Sequence, residues 1–333
     1  MVAHQLIKAN IPFKVIDNDH KGSSTKVAAG LINPITGRRY IKSWLIDDLL
    51  PAALKVYKEF EELLNIKIIN EQNIIRTLKT PKQINLWSES STRPGYQNYI
   101  QEKPNGSEYE EFLKLPCKFA EIKRAYRIDI SKLITSYREY LSNQNLLINQ
   151  SFDYQMIDNN NKKVAIYNHT FDHIIFCEGH QAVNNPFFNS KGFQLAKGEA
   201  LKIQFPDFKP KKILRDEIFF VPDNDSIFWC GGGYQWRFES EEPTDTWKNE
   251  WVEKIKEITS KNYEIISHEA AIRPCVLDRK PLIGRHKSID HLSIFNGLGT
   301  KGTSLGPYWA NKFIEHLLND NPLDPLVDIN RYA

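Results

Sequence analysis

Arg273 stands in the triplet Ile272-Arg273-Pro274. An arginine fixed in front of a proline can clamp a carboxylate with two parallel N–H donors. The bland alternative is a solvated arginine, and Arg279, Arg285 and His286 stay under that reading as well. Further along, Gly297-Leu298-Gly299-Thr300-Lys301-Gly302-Thr303-Ser304 joins an apolar run to a helical one. Such a strand-to-helix turn offers backbone N–H groups and a helix dipole to an electron-rich group. Its other reading is a tight turn that needs only positive φ. It does not match G-x-x-x-x-G-K-[ST], so it is not a triphosphate loop of that type. At the other end of the chain, Met1 to Asn10 reads as a helix and Ile11 to Asp17 as a short apolar strand closed by an acid. Helix, strand and acid form the second half of a dinucleotide-binding βαβ unit, where the acid accepts hydrogen bonds from ribose hydroxyls. A surface acid ending any strand is the competing reading of Asp17.

Other chemistries lack their residue patterns. The nine histidines are scattered, with no HExxH or other metal-ligand spacing, so no metal site is expected. No GxSxG elbow is present, which argues against triad hydrolysis. Cys117, Cys177, Cys230 and Cys275 include no CxxC pair and read as reduced core residues of a cytoplasmic protein. Lys+Arg 44 against Asp+Glu 41 leaves a net charge of +3, which demands neither nucleic acid nor an anionic membrane. No apolar run approaches the ~18 residues of a membrane span, and no signal peptide is expected.

The 333 residues, 41% hydrophobic and 12% aromatic, suffice for one large or two ordinary packed domains. A polar loop rich in small residues follows Asp17, with Gly22, Ser23, Ser24, Ala28, Ala29 and Gly30. An amphipathic helix is expected over 47–64, with Pro51 in its first turn. Residues 66–125 carry strand-like runs broken by prolines and glycines and read as an antiparallel-rich insertion. A helix capped by Asp129 is expected over 129–142. Strands follow near 146–150, 152–157 and 163–167, with an Asn-rich turn at 158–161. Ile174 to Gly179 reads as a buried strand entering a glycine turn. Residues 193–265 look like a mixed antiparallel layer with a helix near 244–260, and a last helix is expected from Leu305 to Leu318. The α/β pieces lie at the start, middle and end with antiparallel pieces between them, which favours two interleaved domains.

Together these segments resemble the D-amino-acid oxidase and glycine oxidase family of FAD-dependent oxidoreductases. The resemblance rests on residues 1–17, on Ser23 to Gly30, on Ile174 to Gly179, and on Arg273-Pro274 with Asp278, Pro281, Ile283 and Gly284. It continues through Gly297 to Gly302 with Leu305 and Pro307, and into the tail Leu323-Asp324-Pro325 to Arg331-Tyr332. It implies an α/β plus antiparallel β fold: an FAD-binding, Rossmann-like (GR2-type) domain interleaved with a substrate domain on a mixed, antiparallel sheet. The implied FAD domain covers 1–65, 126–188 and 266–333, and the substrate domain 66–125 and 189–265. The implied activity is oxidation of a C–N bond in an amino acid or secondary amine, by hydride transfer to non-covalently held FAD. Arg273 would bind the substrate carboxylate, with Tyr234 and Trp236 lining its pocket. Asp17, Ser23, Ser24, Ala28, Ala29, Gly30, Gly179, Gly297, Gly299, Thr300, Lys301 and Gly302 would hold the cofactor.

The sequence departs from the family pattern in two places. Ile218-Phe219-Phe220-Val221-Pro222 offers no tyrosine hydroxyl, and Thr300-Lys301 stands where glycine oxidase carries an arginine. Asn33-Pro34-Ile35-Thr36-Gly37-Arg38-Arg39 adds a basic stretch that either faces substrate or is solvated. A related activity, removal of a carboxymethyl group from a modified wobble uridine of tRNA, would use the same arginine. The G-x-G-x-x-G turn and first strand of the unit are expected ahead of Met1. Without them ~4 buried side chains at ~1.5–3 kcal/mol each would be missing, against a domain stability of ~5–15 kcal/mol. The expectation for residues 1–333 by themselves is weak or absent FAD binding, marginal stability and, at the extreme, no catalysis.

Overall fold

A computed structural model describes residues 1–19, 22–157, 164–188, 192–223 and 226–332. The chain opens with helix α1 (Val2–Lys8) and strand β1 (Val15–Ile16), the strand being shorter than its apolar run. Next comes the single turn α2 (Ser24–Val27), capped by the Ser23 hydroxyl, which accepts from the Thr25 N–H. Strand β2 (Leu31–Ile32) and the hairpin β3 (Ile35–Thr36) and β4 (Ile41–Lys42) lead into α3 (Ile46–Leu64). Leu49, Leu50, Ala53, Val56 and Phe60 form the buried stripe of α3. Pro51 falls beyond the first turn of this helix, contrary to the sequence expectation, so the carbonyl of residue 47 has no helical N–H partner there.

Strands β5 (Ile69–Glu71) and β6 (Ile74–Leu78) are followed by α4 (Pro81–Ser91), a helix where only strands were expected. Its cause is local. The Thr80 hydroxyl accepts from the Gln83 N–H, the Gln83 side chain accepts from the Thr80 N–H, and Pro81 opens the first turn. After β7 (Lys118–Ile122) and β8 (Tyr126–Ile128), Asp129 caps α5 (Ile130–Asn143) through a 3.0 Å bond from the Lys132 N–H. Strands β9 (Leu147–Ile148), β10 (Val164–Ile166), β11 (His169–Phe171) and β12 (Ile174–Phe176) come next. Residues Tyr154–Met156 form a 3-10 turn and not the expected strand, because Asp153 folds its carboxylate onto the Gln155 N–H. The Asn-rich turn expected at 158–161 lies outside the described residues.

The rest of the chain holds β13 (Ala196–Gln204), β14 (Ile213–Arg215), β15 (Phe219–Pro222) and β16 (Ile227–Gly231), then α6 (Asp245–Ile258) and β17 (Glu264–Arg273). Strands β18 (Leu282–Arg285) and β19 (Leu292–Asn296) and helix α7 (Gly302–Asn319) close it.

The largest sheet runs β17-β13-β16-β15-β14-β6-β7 and is antiparallel except between β14 and β6. Side-chain alternation gives it two unlike faces. One carries Ile75, Leu201, Ile203, Leu214, Phe220, Phe228 and Cys230, packed with Trp247, Trp251 and Ile255 of α6. Gly198, Gly231, Trp229, Phe219, Arg215 and Arg76 sit on the other, as the register pairs Arg76 with Arg215, Arg215 with Phe219, and Phe219 with Gly231.

Outside the large sheet, β1 pairs in parallel with β9 and β12 with β19, in separate ladders. Antiparallel β18 extends the second ladder, and α7 covers it through Phe295, Ile283, Trp309 and Phe313. Among the described residues, no helix is long and apolar enough to cross a membrane. Cys230 and Cys275 are core residues as expected and Cys117 is half-buried. Cys177 is exposed at the end of β12, which corrects the expectation that all four are core.

Candidate active site

Arg273 is the last residue of β17, and its guanidinium lies flat across β13. A Cβ added to Gly198 would stand 2.1 Å from the nearest guanidinium nitrogen. Glycine at 198 therefore leaves the arginine its place on the sheet. One guanidinium nitrogen donates to the Gly233 carbonyl at 3.1 Å. Burial pushes its pKa below the ordinary arginine value, and among the described residues no carboxylate pairs with it. A half-buried cation with one carbonyl partner retains N–H donors for an anion. The closing turn lies beside it, since the Gly299 N–H donates to the Pro274 carbonyl at 3.1 Å and Cys275 packs under Gly299.

The carboxyl ends of β1, β12 and β19 run out at Asp17, Gly179 and Gly297. Strand ends of this kind are where open α/β sheets bind ligands. Asp17 is ion-paired with Arg138. Gly179 has φ +59°, and nothing stands within 4 Å of where its Cβ would be. Asn296 ties two of these ends together: its amide donates to the Gly179 carbonyl at 2.9 Å, and its side-chain oxygen accepts from the Gly297 N–H at 2.7 Å. Nothing in the sequence marked this residue, because it reads there as the last polar residue of a strand.

The remaining expected cofactor residues divide by what surrounds them. Ser23 and Ser24 start α2, with Ala28 exposed and Ala29 half-buried beyond it. The Val27 carbonyl accepts from the Trp229 indole N–H at 2.8 Å, which fixes this loop against the arginine-bearing face of the large sheet. Gly30 is accounted for by packing, since a Cβ would fall 1.9 Å from the Ile128 carbonyl oxygen. The same holds for Gly297, whose Cβ would meet Leu282 and Val276 at 2.8 Å. Thr300 is exposed at the tip of the turn, and Gly302 begins α7. Lys301 donates to the Ser43 hydroxyl at 3.3 Å. Burial lowers its pKa, and Lys280 and Arg279 nearby lower it further.

Tyr234 and Trp236, expected to line the substrate pocket, are 46% and 41% exposed and meet each other edge to face at 4.8 Å. Trp229 and Phe219 are the aromatic residues on the face that carries Arg273. The basic stretch 33–39 forms the β3–β4 hairpin. Its Gly37 carbonyl accepts from Arg76, whose guanidinium stacks 4.6 Å from the Tyr40 ring centre. No cluster of metal-ligating side chains occurs among the described residues.

These features fit FAD. Asn296 joins two glycine strand ends with open space at Gly179, the loop of small residues is fixed by Trp229, and a helix N-terminus with a lysine stands beside a half-buried arginine that no carboxylate pairs among the described residues.

Residues 1–315 match the family model of the FAD dependent oxidoreductases designated DAO, and the chain belongs to that family. Its fold is shared by solved structures of low sequence identity. Glycine oxidase from Bacillus cereus ATCC 14579 superposes with a TM-score of 0.80 at 15% identity, over 96% of this chain and 92% of that one. Glycine oxidase from Geobacillus kaustophilus gives 0.79 at 14% identity, over 100% and 94%. Iminodiacetate oxidase from Chelativorans sp. BNC1 gives 0.75 at 17% identity, over 100% and 95%.

Proposed function

We propose that this protein oxidises the C–N bond of an amine that carries a carboxylate on the carbon being oxidised, an amino acid or an N-substituted glycine. The observation that carries this reading is the half-buried Arg273, without a carboxylate partner among the described residues, on the sheet face to which Trp229 fixes the small-residue loop. FAD, when bound, supplies a two-electron acceptor for the hydride of the substrate C–H bond. Asp17, the Ser23–Ala29 loop, Gly179 and the Gly299–Gly302 turn would hold it, without a covalent link.

The chain's own contribution is placement. Arg273 takes the carboxylate in two charge-assisted hydrogen bonds and so fixes the C–H bond beside it. Phe219 and Trp229 present rings on the same face and exclude water from the reacting carbon. The amine enters neutral, so that its lone pair assists departure of the hydride. An N-substituted glycine R–NH–CH2–COO⁻ loses a hydride and a proton to give the imine R–N=CH–COO⁻. Water then cleaves the imine to R–NH2 and glyoxylate.

Product analysis tests this reading. The FAD-loaded protein should release glyoxylate from glycine or sarcosine and leave the same amines without a carboxylate untouched. Arg273→Met should raise KM by about 30-fold or more, as expected for ~2–5 kcal/mol lost with a buried charge pair. Equal turnover of amines with and without a carboxylate would refute it.

A further inference from the structure

Two more arginines share the face that carries Arg273. Arg76 on β6 and Arg215 on β14 are register partners, so like charges stand side by side on neighbouring strands. Side by side, like charges repel unless an anion lies between them. Burial, with Arg76 beside it, lowers the pKa of Arg215 to about 10. Burial also lowers that of Arg76. Neither forms an ion pair with a carboxylate among the described residues. Arg76 reaches the Gly37 carbonyl at 3.3 Å, and its buried Nε has no partner. Arg215 donates to the Glu217 carbonyl and stacks 4.5 Å from the Phe219 ring centre. Two acids, Asp216 and Glu217, act on Arg215 without pairing it; Asp216 is already engaged, at 2.7 Å by Lys79 and at 2.7 Å by Thr77.

The pair is close to Arg273. A Cβ on Gly232 would stand 3.4 Å from an Arg215 guanidinium nitrogen, while the carbonyl of the next residue, Gly233, accepts from Arg273. The two sites thus flank one glycine segment, their guanidinium groups reaching towards it from β17 and β14 on either side of β16.

We infer that the substrate is a secondary amine with a carboxylate on each arm: Arg273 takes the carboxylate beside the oxidised carbon, and Arg76 with Arg215 takes the other. This rests on the function proposed above and narrows its substrate class. The amine nitrogen then lies between the two anchors, beside Gly232 and against the rings of Trp229, which covers Gly231, and Phe219.

Iminodiacetate and sarcosine make the test, since they differ by one carboxylate on the far arm. In the FAD-loaded enzyme kcat/KM should favour iminodiacetate by about tenfold or more, the size expected for a charge-assisted pair. Arg215→Gln and Arg76→Gln should each reduce that ratio several-fold, while Arg273→Met should lower both values. Calorimetry gives a readout that needs no turnover. Glutarate should bind wild-type protein at least tenfold more tightly than acetate, and Arg215→Gln should erase the difference. Equal kcat/KM for the two amines, or equal binding of glutarate and acetate by the wild type, would overturn the inference. If no amine reduces the flavin but glutarate is still preferred, the proposed reaction fails and the two-anchor site stands. If sarcosine is oxidised as well as iminodiacetate, the reaction stands and the second anchor fails.

Discussion

Gly198 tests the placement of Arg273 more finely than the arginine itself does. Adding a methyl group there forces the guanidinium off β13, because the new atom would sit 2.1 Å from it. Gly198→Ala should therefore raise the KM for carboxylate-bearing amines by about tenfold or more, a cost of ~1.4 kcal/mol or greater. Protein stability should fall by less than ~1 kcal/mol, since the strand is already extended at this position. Steady-state kinetics and a thermal melt on one variant separate the two effects. Arg273 was legible in the sequence because it precedes a proline inside a recognisable stretch. Arg76 and Arg215 were not, although each interrupts an apolar run, Asn73-Ile74-Ile75-Arg76 and Ile213-Leu214-Arg215. A charge at an inward position of a strand is the signal. What it points to depends on the pairing of β6 with β14, which brings together residues far apart in the sequence. Gly30 and Gly297 show the opposite limit: their glycine is visible in the sequence, but only the structure shows that a neighbouring backbone requires it.

At the level of elements, local chemistry decided what could be read. The Asp129 cap and the 3.6-residue stripe of α3 fixed two helices from sequence. The Thr80-Pro81-Lys82-Gln83 box that starts α4 was equally readable and was masked by the strand-like runs around it. The Gly30 backbone, at φ +72° and closed off by the Ile128 carbonyl, fixes the join between the small-residue loop and β8. Gly30→Ala should cost ~2 kcal/mol or more from the left-handed backbone and the clash together, read as a lower midpoint in chemical denaturation.

The β12–β19 ladder carries a pH-sensitive group. His173, just before β12, meets the Ser293 hydroxyl at 2.8 Å, and burial holds its pKa at about 4 against an ordinary 6.5. Between those two values the unfolded chain binds a proton that the native chain refuses, so stability falls as pH is lowered through that window. The loss reaches at most ~3 kcal/mol, at 1.36 kcal/mol per pKa unit. Above pH ~6.5 the group contributes no pH dependence. His173→Gln should remove this part of the acid sensitivity, so the difference in unfolding free energy between pH ~7 and ~4.5 should be smaller in the variant. An unchanged difference would place the acid sensitivity elsewhere.

Across the whole molecule, the fold brings two unlike surfaces together. The carboxyl ends of the parallel strands supply backbone and glycine turns suited to a dinucleotide, and the seven-stranded sheet supplies arginines on one face. The Trp229 indole bridges them through the Val27 carbonyl. Trp229→Phe keeps the ring and removes that hydrogen bond, so it should weaken FAD binding by about 2- to 10-fold, for ~0.5–1.5 kcal/mol. A titration followed by flavin fluorescence measures it. Carboxylate-directed amine oxidation is tested by anaerobic mixing of the FAD-loaded protein with an N-substituted glycine while the visible absorption of the flavin is followed. Bleaching is expected with the carboxylate-bearing amine, with a concentration dependence that Arg273→Met shifts about 30-fold or more upward. Bleaching that is as fast with the corresponding amine lacking a carboxylate, or that is unaffected by Arg273→Met, would contradict it.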